Sequence, residues 1–414
     1  MTTSFPMNAG DGVYSYSKNS HLQKEMIDGA KEMVRHAIIR KLNIKIILSF
    51  PNTLRIAELG CSVGPNTFSA IQYNVEALKD KYLLYQDQVI NFTNNIPEFQ
   101  IFFNDHVTND FNILFQSLPF DRSYYAYGIP GSFYGRLFPS RSMHFVHSSS
   151  GINWLSKIPK ELVDEKSPAW NKGLIHYVGA SNVEVVNAYF AQFEKDMEIF
   201  FNVRAEEIVQ EGMMVLITTF SGYMRLMRFF GSSLMDLVNK VIFISFYMTM
   251  FFLLVCFDHV YYDNNCSCAE EIVHGGMIVL ITPYSSYVRL TKFFGTSLTN
   301  LVNEGKLDDS LVDSFNLPMY FPSVEDMTKV VEKNDCFSIE KIELTYPQSK
   351  LVDEADAKTL MIYRAVLGLL INHFGSEIAK EACERTILKS EEISAWMKAN
   401  YEKSCQLFVA LKRK

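Results

Sequence analysis

A short apolar run followed by two spaced glycines constrains the fold of this chain more than any other feature. The run covers residues 54–59 and includes Glu58, and Gly60 and Gly64 follow before a helical pattern begins around Pro65. Glycine permits a tight turn in which backbone approaches a ligand closely, and proline suits the first turn of a helix. The spacing is Glu-x-Gly-x-x-x-Gly, unlike the Gly-x-Gly-x-x-Gly of dinucleotide-binding loops. It therefore predicts either an ordinary strand-turn-helix or a loop for a nucleotide-type cofactor, S-adenosylmethionine rather than NAD.

Strand and helix patterns alternate along the rest of the chain. Strands are predicted at 54–59, 99–104, 124–129, 143–147, 337–344 and 406–411. Helices are predicted at 21–48, 66–80, 181–209, about 291–335 and 355–399, the last broken near Gly375. Such alternation is typical of an α/β fold with a doubly wound, Rossmann-like sheet. We expect the helices of 291–335 and 355–399 to form an α-helical cap over the carboxyl ends of the strands, the edge at which ligands bind.

Several longer motifs occur in a fixed order. They are Met7–Gly12, Tyr14–Gln23, Asn104–Asn112, Gly128–Pro139, Met143–Ser156 and Asp313–Ser323. With these motifs the chain resembles the SABATH family of plant methyltransferases, which use S-adenosylmethionine to methylate small carboxylic acids or, in some branches, xanthine nitrogens. The resemblance implies a class I methyltransferase fold and an enzyme that converts the carboxylate of a small acid into a methyl ester. N-methylation of xanthine-type bases is the alternative activity.

The resemblance also assigns binding residues. Those expected to contact the cofactor are Tyr16, Ser20, Glu58, Gly60, Cys61, Asn66, Asp105, His106, Ser132 and Phe133. Those expected around the acceptor are Gln23, Ser150, Asn153 and Trp154. A structural Mg²⁺ would be held by Asn171, Asp313, the Phe315 carbonyl and Asn316. Some of these residue types also have simpler roles, as helix or turn caps (Asn66, Ser132, Asp313, Asn316) or as core residues (Phe133, Trp154).

The implied reaction needs no general base, because a carboxylate acceptor is already ionised at neutral pH. Gln23 and Trp154 would donate to that carboxylate and orient it towards the methyl group. A neutral amide and an indole N–H can do so without a salt bridge that would blunt the nucleophile. Catalysis would then rest on positioning, with the donor methyl and the acceptor oxygen held in line.

Five positions depart from the family pattern. Glu58 replaces the usual Asp, His106 replaces a Leu beside the adenosine, and Asn8 replaces the Lys of some carboxylate-specific members. Ser150 and Asn153 stand where an aromatic ring and a His or Met are frequent, which enlarges and polarises the acceptor pocket. We therefore expect an acceptor other than a flat, salicylate-like acid.

The middle of the chain contains an internal duplication. Residues 206–239 align with residues 270–303 at a constant offset of 64, and 22 of the 34 positions are identical. The family pattern has one copy, a central strand and the helix after it, so two segments compete for one slot. The first copy keeps its upstream helix, whereas the second has a Gly275-Gly276 turn and the natural downstream run. Either copy could therefore fill the slot, and two copies are too few for a solenoid.

An uncharged apolar run of 17 residues, 241–257, lies between the two copies. Its length is at the lower limit for a membrane span. The run shows neither amphipathic nor alternating patterning. We therefore interpret residues 241–269 as translated intervening sequence. A membrane-tethered protein and a non-catalytic relative whose sheet the duplication disrupts are the alternatives to an active enzyme.

The predicted domains are 1–219 (first part of the core), 206–269 (duplicated strand-helix with the apolar insertion), 270–335 (second copy and cap helices) and 336–414 (last core strands with further cap helices).

Charge and cysteine content limit the partners and the compartment. The 414 residues carry a net charge of −7 with scattered Lys and Arg, so we expect no nucleic-acid partner. Seven cysteines without a framework spacing, and no apolar leader, favour the cytoplasm. The expected partner is a small carboxylic acid, and a homodimer is expected from family likeness alone.

Overall fold

The structure is a computed structural model that describes most of the chain. The described residues are 6–10, 12–47, 53–86, 96–178, 180, 182–219, 272–274, 277–279, 286–345, 362–389, 391 and 406–414. The apolar run 241–257 and the Gly275-Gly276 turn lie outside them. Within these ranges no helix is long and apolar enough to cross a membrane.

A seven-stranded sheet forms the centre of the molecule. Its strands are β1 Thr53–Leu59, β2 Glu98–Asp105, β3 Tyr125–Pro130, β4 Met143–Ser149, β5 Ile208–Thr219, β8 Phe337–Thr345 and β9 Gln406–Arg413. A separate two-stranded hairpin consists of β6 Ile272–His274 and β7 Met277–Val279. The large sheet has the order β3-β2-β1-β4-β5-β9-β8, with parallel pairing from β3 to β5 and β9 antiparallel to both neighbours. This confirms the predicted doubly wound sheet, whose strand order reverses between β1 and β4.

Helices cover the sheet on both faces. They are α1 Tyr16–Asn19, α2 His21–Lys41, α3 Ile44–Ile47, α4 Pro65–Gln86, α5 Phe111–Gln116 and α6 Val183–Glu207. The predicted helix 21–48 is interrupted because Leu42 adopts an extended conformation. The predicted helix 181–209 ends at Glu207, since Ile208 already pairs with Met143 of β4.

The cap follows in the second half of the chain. Its helices are α7 Ser286–Asn303, α8 Asp309–Asp313, α10 Ile362–Ala365, α11 Leu367–Phe374 and α12 Ser376–Leu388. The predicted cap also included α9 Val324–Asn334, but this helix packs on α6 and on β8 and so belongs to the layer that covers the sheet. The predicted break near Gly375 is present, because this residue has a φ of 79° between α11 and α12. Arg385 on α12 pairs with Glu304 just after α7 and thereby ties the cap helices together.

Each copy of the repeat supplies one element of the strand-helix unit that the family pattern has once. The first copy supplies the strand, since β5 pairs with β4 on one side and β9 on the other. The second copy supplies the helix, since α7 packs on α12 and buries Phe294, Leu298 and Leu301. Among the described residues, the strand region of the second copy contributes only the detached β6–β7 hairpin.

Candidate active site

The turn after β1 is held by backbone hydrogen bonds and left-handed residues. Gly60 donates its N–H to the Asn104 carbonyl of β2 at 2.9 Å. Gly60, Ser62 and Gly64 have φ values of 76°, 49° and 107°. A Cβ at Gly64 would lie 2.9 Å from the Cβ of Ser17 on α1, so the close approach of α1 requires glycine. The turn thus brings bare backbone to the carboxyl end of the sheet.

Asp105 ends β2 beside this turn, and its carboxylate is held by backbone. The Ser62 N–H donates to Oδ2 and the His106 N–H to Oδ1, each at 2.7 Å. Burial raises the pKa of the Asp105 carboxyl, and the two N–H donors lower it in part. Each carboxylate oxygen keeps a lone pair, so Asp105 can still accept hydrogen bonds from ligand hydroxyls.

A pocket opens over this edge, with an empty volume of about 1150 Å³ that includes its open mouth. Ten of the predicted binding residues line it together: Tyr16, Gly60, Asp105, His106, Ser132, Phe133, Gln23, Ser150, Asn153 and Trp154. The predicted cofactor and acceptor residues therefore share one continuous space. This is the arrangement that direct transfer between two ligands requires.

Four predicted cofactor residues, Ser20, Glu58, Cys61 and Asn66, do not line the pocket. The Asn66 amide donates to the Ser20 carbonyl and hydroxyl, both at 2.9 Å, and so joins α4 to the start of α2. The Glu58 carboxylate lies 2.7 Å from His147 Nδ1, with both side chains buried. Burial raises the pKa of the Cys61 thiol well above its usual value, which keeps it protonated. These residues support the pocket from behind.

The loop of residues 131–138 carries Ser132 and Phe133, which are predicted to contact the cofactor, and is called the cofactor loop for that reason. The Phe133 ring packs edge to face against Phe200 of α6 at 6.1 Å. The last turn of α6 fixes the other end of the loop, because the Glu207 carboxylate accepts the N–H groups of both Leu137 and Phe138, at 2.5 and 2.9 Å. Two residues of α6, Phe200 and Glu207, therefore contact the two ends of the loop.

The Arg204 guanidinium completes this anchor. It donates to the Gly135 carbonyl at 2.8 Å and lies 2.8 Å from the Glu207 carboxylate. Both charged side chains are almost fully buried, at 0% and 1% exposed. Next to them, the exposed Glu206 pairs with Arg136 of the loop at 2.7 Å.

Trp154, from the 150–155 segment, and Gln23, from α2, both line the pocket. The backbone of Trp154 is fixed by a bridge to Met319, and its carbonyl accepts the Tyr134 hydroxyl at 2.7 Å. Within the described part of the chain, no group accepts from the Trp154 indole N–H or the Gln23 amide N–H. Gln23 Oε1 is buried without a partner there. Both donors are thus available to a ligand.

The polar groups of Asn153 are hydrogen-bonded within the protein. Its amide donates to the Tyr320 carbonyl at 2.9 Å, and its oxygen accepts the Thr219 N–H at 3.3 Å. It lines the pocket as expected, but its amide joins the end of β5 to the Tyr320 backbone. Ser150, by contrast, keeps its hydroxyl at the pocket wall.

The sequence reasoning missed several pocket residues. They include Ser62, Ser149, Gly151, Met26, Tyr134, Thr219, Pro318, Met319 and Leu369. Ser62 stands beside the predicted glycines, and its hydroxyl is buried without a partner among the described residues, so the motif could have indicated it. Met26 and Leu369 follow helical apolar spacing and look like ordinary core residues in the sequence.

Three of the four predicted Mg²⁺ ligands have hydrogen-bond partners within the protein, while Asn171 Oδ1 is buried without a partner in the described chain. The Asn171 amide donates to Asn316 Oδ1 at 2.6 Å, and the Tyr189 hydroxyl donates to the same oxygen at 3.2 Å. Asp313, the one carboxylate of the group, accepts the Gly173 N–H at 2.7 Å. Mg²⁺ requires several oxygens directed at one octahedral centre. No cluster of three or more His, Cys, Asp or Glu side chains suited to a metal occurs in the described ranges.

Comparison with known proteins agrees with this geometry. The chain matches a family model described as SAM dependent carboxyl methyltransferase over residues 2–251 and 266–414. It is 38% identical over 412 residues to a loganic acid O-methyltransferase of Catharanthus roseus, covering 99% of this chain and 94% of that protein. It is 33% identical over 416 residues to a farnesoic acid carboxyl-O-methyltransferase of Arabidopsis thaliana, covering 100% of both. A solved loganic acid methyltransferase with SAH has a TM-score of 0.77 at 36% identity and 99% coverage of both chains.

Proposed function

Because the chain belongs to the SABATH family of S-adenosylmethionine-dependent carboxyl methyltransferases, we propose that it esterifies the carboxylate of a small acid by methyl transfer. The products are the methyl ester and S-adenosylhomocysteine. One observation carries the proposal: two neutral donors that have no acceptor in the described part of the chain, the Trp154 indole and the Gln23 amide, line the same pocket as Asp105. The two N–H donors can bind a carboxylate, and Asp105 at the carboxyl end of β2 can accept the hydroxyl groups of a nucleoside.

The residues present fit the methyl donor. The bare backbone of Gly60 and the Ser62 hydroxyl, which is buried without a partner in the described chain, lie in the pocket lining with Asp105. When bound, S-adenosylmethionine supplies a methyl group on a positively charged sulfur. Asp105 accepts hydroxyl hydrogens, and Phe133 presents an aromatic face backed by Phe200.

Catalysis by this chain consists of positioning and exclusion of water. Trp154 and Gln23 hold the carboxylate of the acceptor so that one oxygen keeps its lone pair directed at the methyl group. With the methyl donor bound, an ionised acceptor carboxylate would take the methyl group without any proton transfer, so no base is needed. The Tyr134 hydroxyl donates to the Trp154 carbonyl and so holds the backbone that carries the indole. Burial raises the pKa of Tyr134 well above its usual value, so it stays neutral.

Calorimetry with S-adenosylhomocysteine, followed by transfer of a labelled methyl group to a panel of small acids, tests the proposal. We expect Trp154→Phe and Gln23→Ala each to lower kcat/KM about 10- to 100-fold, since each loses a hydrogen bond to a charged group. Affinity for S-adenosylhomocysteine should be unchanged. Trp170→Phe, outside the pocket, is the matched control. Saturable S-adenosylhomocysteine binding without ester formation on any acid would contradict the proposal.

The type of acceptor, the compartment, the oligomeric state and the metal site are separate proposals with their own tests. Purines added to the panel test xanthine N-methylation, and a failure to bind S-adenosylhomocysteine would favour a non-catalytic relative. Free Cys61, Cys336 and Cys383 in the described chain support a reducing, cytoplasmic location. The family likeness supports a homodimer, which light scattering tests. The Mg²⁺ site stays a prediction, and equal melting temperatures with Mg²⁺ and with EDTA would oppose it.

A further inference from the structure

We infer that the acceptor side of the pocket contains an oxygen-recognising subsite formed by Met26, Ser150 and Thr219. It selects acids whose carbon framework carries hydroxyl groups over unsubstituted aromatic or prenyl acids. The inference rests on the proposed function and specifies its substrate class. None of the three residues belongs to the pair that holds the carboxylate.

The three side chains converge beside that pair. The Ser150 hydroxyl lies 3.6 Å from Met26 Sδ, and the Thr219 hydroxyl lies 3.8 Å from the same sulfur. Gln23 and Met26 are three residues apart on α2 and so share one face of the helix. An acid whose carboxylate meets Gln23 and Trp154 would therefore place its body against this subsite.

The two hydroxyls are held rigidly but bonded weakly. Ser150 has a left-handed φ of 63°, and its N–H donates to the Ile217 carbonyl at 2.8 Å. Thr219 is fixed at the end of β5 by its N–H bond to Asn153. The partner given to each hydroxyl in the described chain is a thioether sulfur, which is a weak acceptor. Ligand oxygens would therefore replace weak contacts with full hydrogen bonds.

The same reasoning explains rejection of apolar acids. A ligand without oxygens that covers the subsite removes both hydroxyls from water and gives them no better partner than sulfur. Sites that hydrogen-bond a substrate hydroxyl discriminate against the analogue that lacks it for this reason. The pocket thus penalises an unsubstituted ring as well as favouring a hydroxylated one.

The duplication bears directly on this subsite. Thr219 belongs to the first copy, and the equivalent residue of the second copy is Pro283. Proline has neither a hydroxyl nor an N–H to donate to Asn153. Use of the first copy as β5 therefore determines the chemistry of the acceptor wall.

Matched pairs of acids test the inference. One pair is shikimate and cyclohex-1-ene-1-carboxylate, and the other is quinate and cyclohexanecarboxylate. Within each pair the ring is the same and only the hydroxyls differ. The variants are Ser150→Ala and Thr219→Val. Thr218→Val is the matched control, because it is the same substitution one residue earlier, at a position that does not line the pocket. Melting temperatures and S-adenosylhomocysteine affinity show that each variant is folded.

We expect the wild type to prefer the hydroxylated member of at least one pair by about tenfold or more in kcat/KM. Ser150→Ala and Thr219→Val should each reduce that ratio several-fold through the hydroxylated member, and Thr218→Val should leave it unchanged. Equal or better use of the unsubstituted members would overturn the subsite while methyl transfer still stands. So would a preference that persists in both variants. Failure of every acid despite S-adenosylhomocysteine binding would instead overturn the proposed function, and the subsite with it.

Discussion

Replacing Glu207 by Ala tests the anchor between α6 and the cofactor loop. The Glu207 carboxylate accepts two backbone N–H groups of the loop and lies 2.8 Å from the Arg204 guanidinium, with both side chains buried. Burial raises the pKa of Glu207 and lowers that of Arg204, so each charge depends on the other. Removing one partner leaves an uncompensated charge in the interior, which costs about 3–5 kcal/mol. We expect a loss of that size in the free energy of unfolding.

The assay is urea unfolding followed by circular dichroism at pH 7, with S-adenosylhomocysteine calorimetry at a temperature where all variants are folded. The neighbouring Glu206→Ala is a matched control, because Glu206 is 56% exposed and its ion pair with Arg136 is worth less than about 1 kcal/mol. Glu207→Ala should also weaken S-adenosylhomocysteine binding, since the loop carries Ser132 and Phe133. The reasoning is refuted if Glu207→Ala destabilises no more than Glu206→Ala.

Three further predictions concern stability. Glu211 has a left-handed φ of 64° where the second copy has Gly275, so Glu211→Gly should raise the free energy of unfolding by about 1 kcal/mol in urea titrations; a loss would show that its ion pair with Lys412 matters more. Burial lowers the pKa of His144 from 6.5 to about 4, so the unfolded chain binds the proton first as pH falls, and stability should drop by up to about 1.4 kcal/mol per pH unit between about 6.5 and 4. His144→Gln should flatten this slope in unfolding experiments at pH 7 and 5, and an unchanged slope would assign it to other groups. Deletion of residues 220–283, which keeps the first strand and the second helix, should give a folded protein with unchanged S-adenosylhomocysteine affinity; aggregation or loss of binding would show that the removed segment is needed.

Local features of the fold were predictable from sequence, and non-local ones were not. The turn from Gly60 to Pro65 depends on conformations that few residues adopt, so its position was read correctly. The predicted helix 181–209 extends two residues past the observed end of α6 at Glu207, because pairing of Ile208 with β4 begins the strand there. Cys61 and Asn66 lie in the right motif, but the direction of a side chain depends on what packs behind it. Thr219 was missed because a strand end gives no sign of which neighbour it will meet.

The buried ion pair has a consequence for how the duplication is tolerated. Arg204 lies two residues before the repeated unit, so the duplication copied the acid as Glu271 but placed Cys268 where its counter-ion would be. A second copy that displaced the first from the sheet would bury that carboxylate without a cation, at a cost of several kcal/mol. The boundary of the repeat separates the two partners of this ion pair. This asymmetry favours the first copy over the second as the central strand, although the two copies have similar sequences.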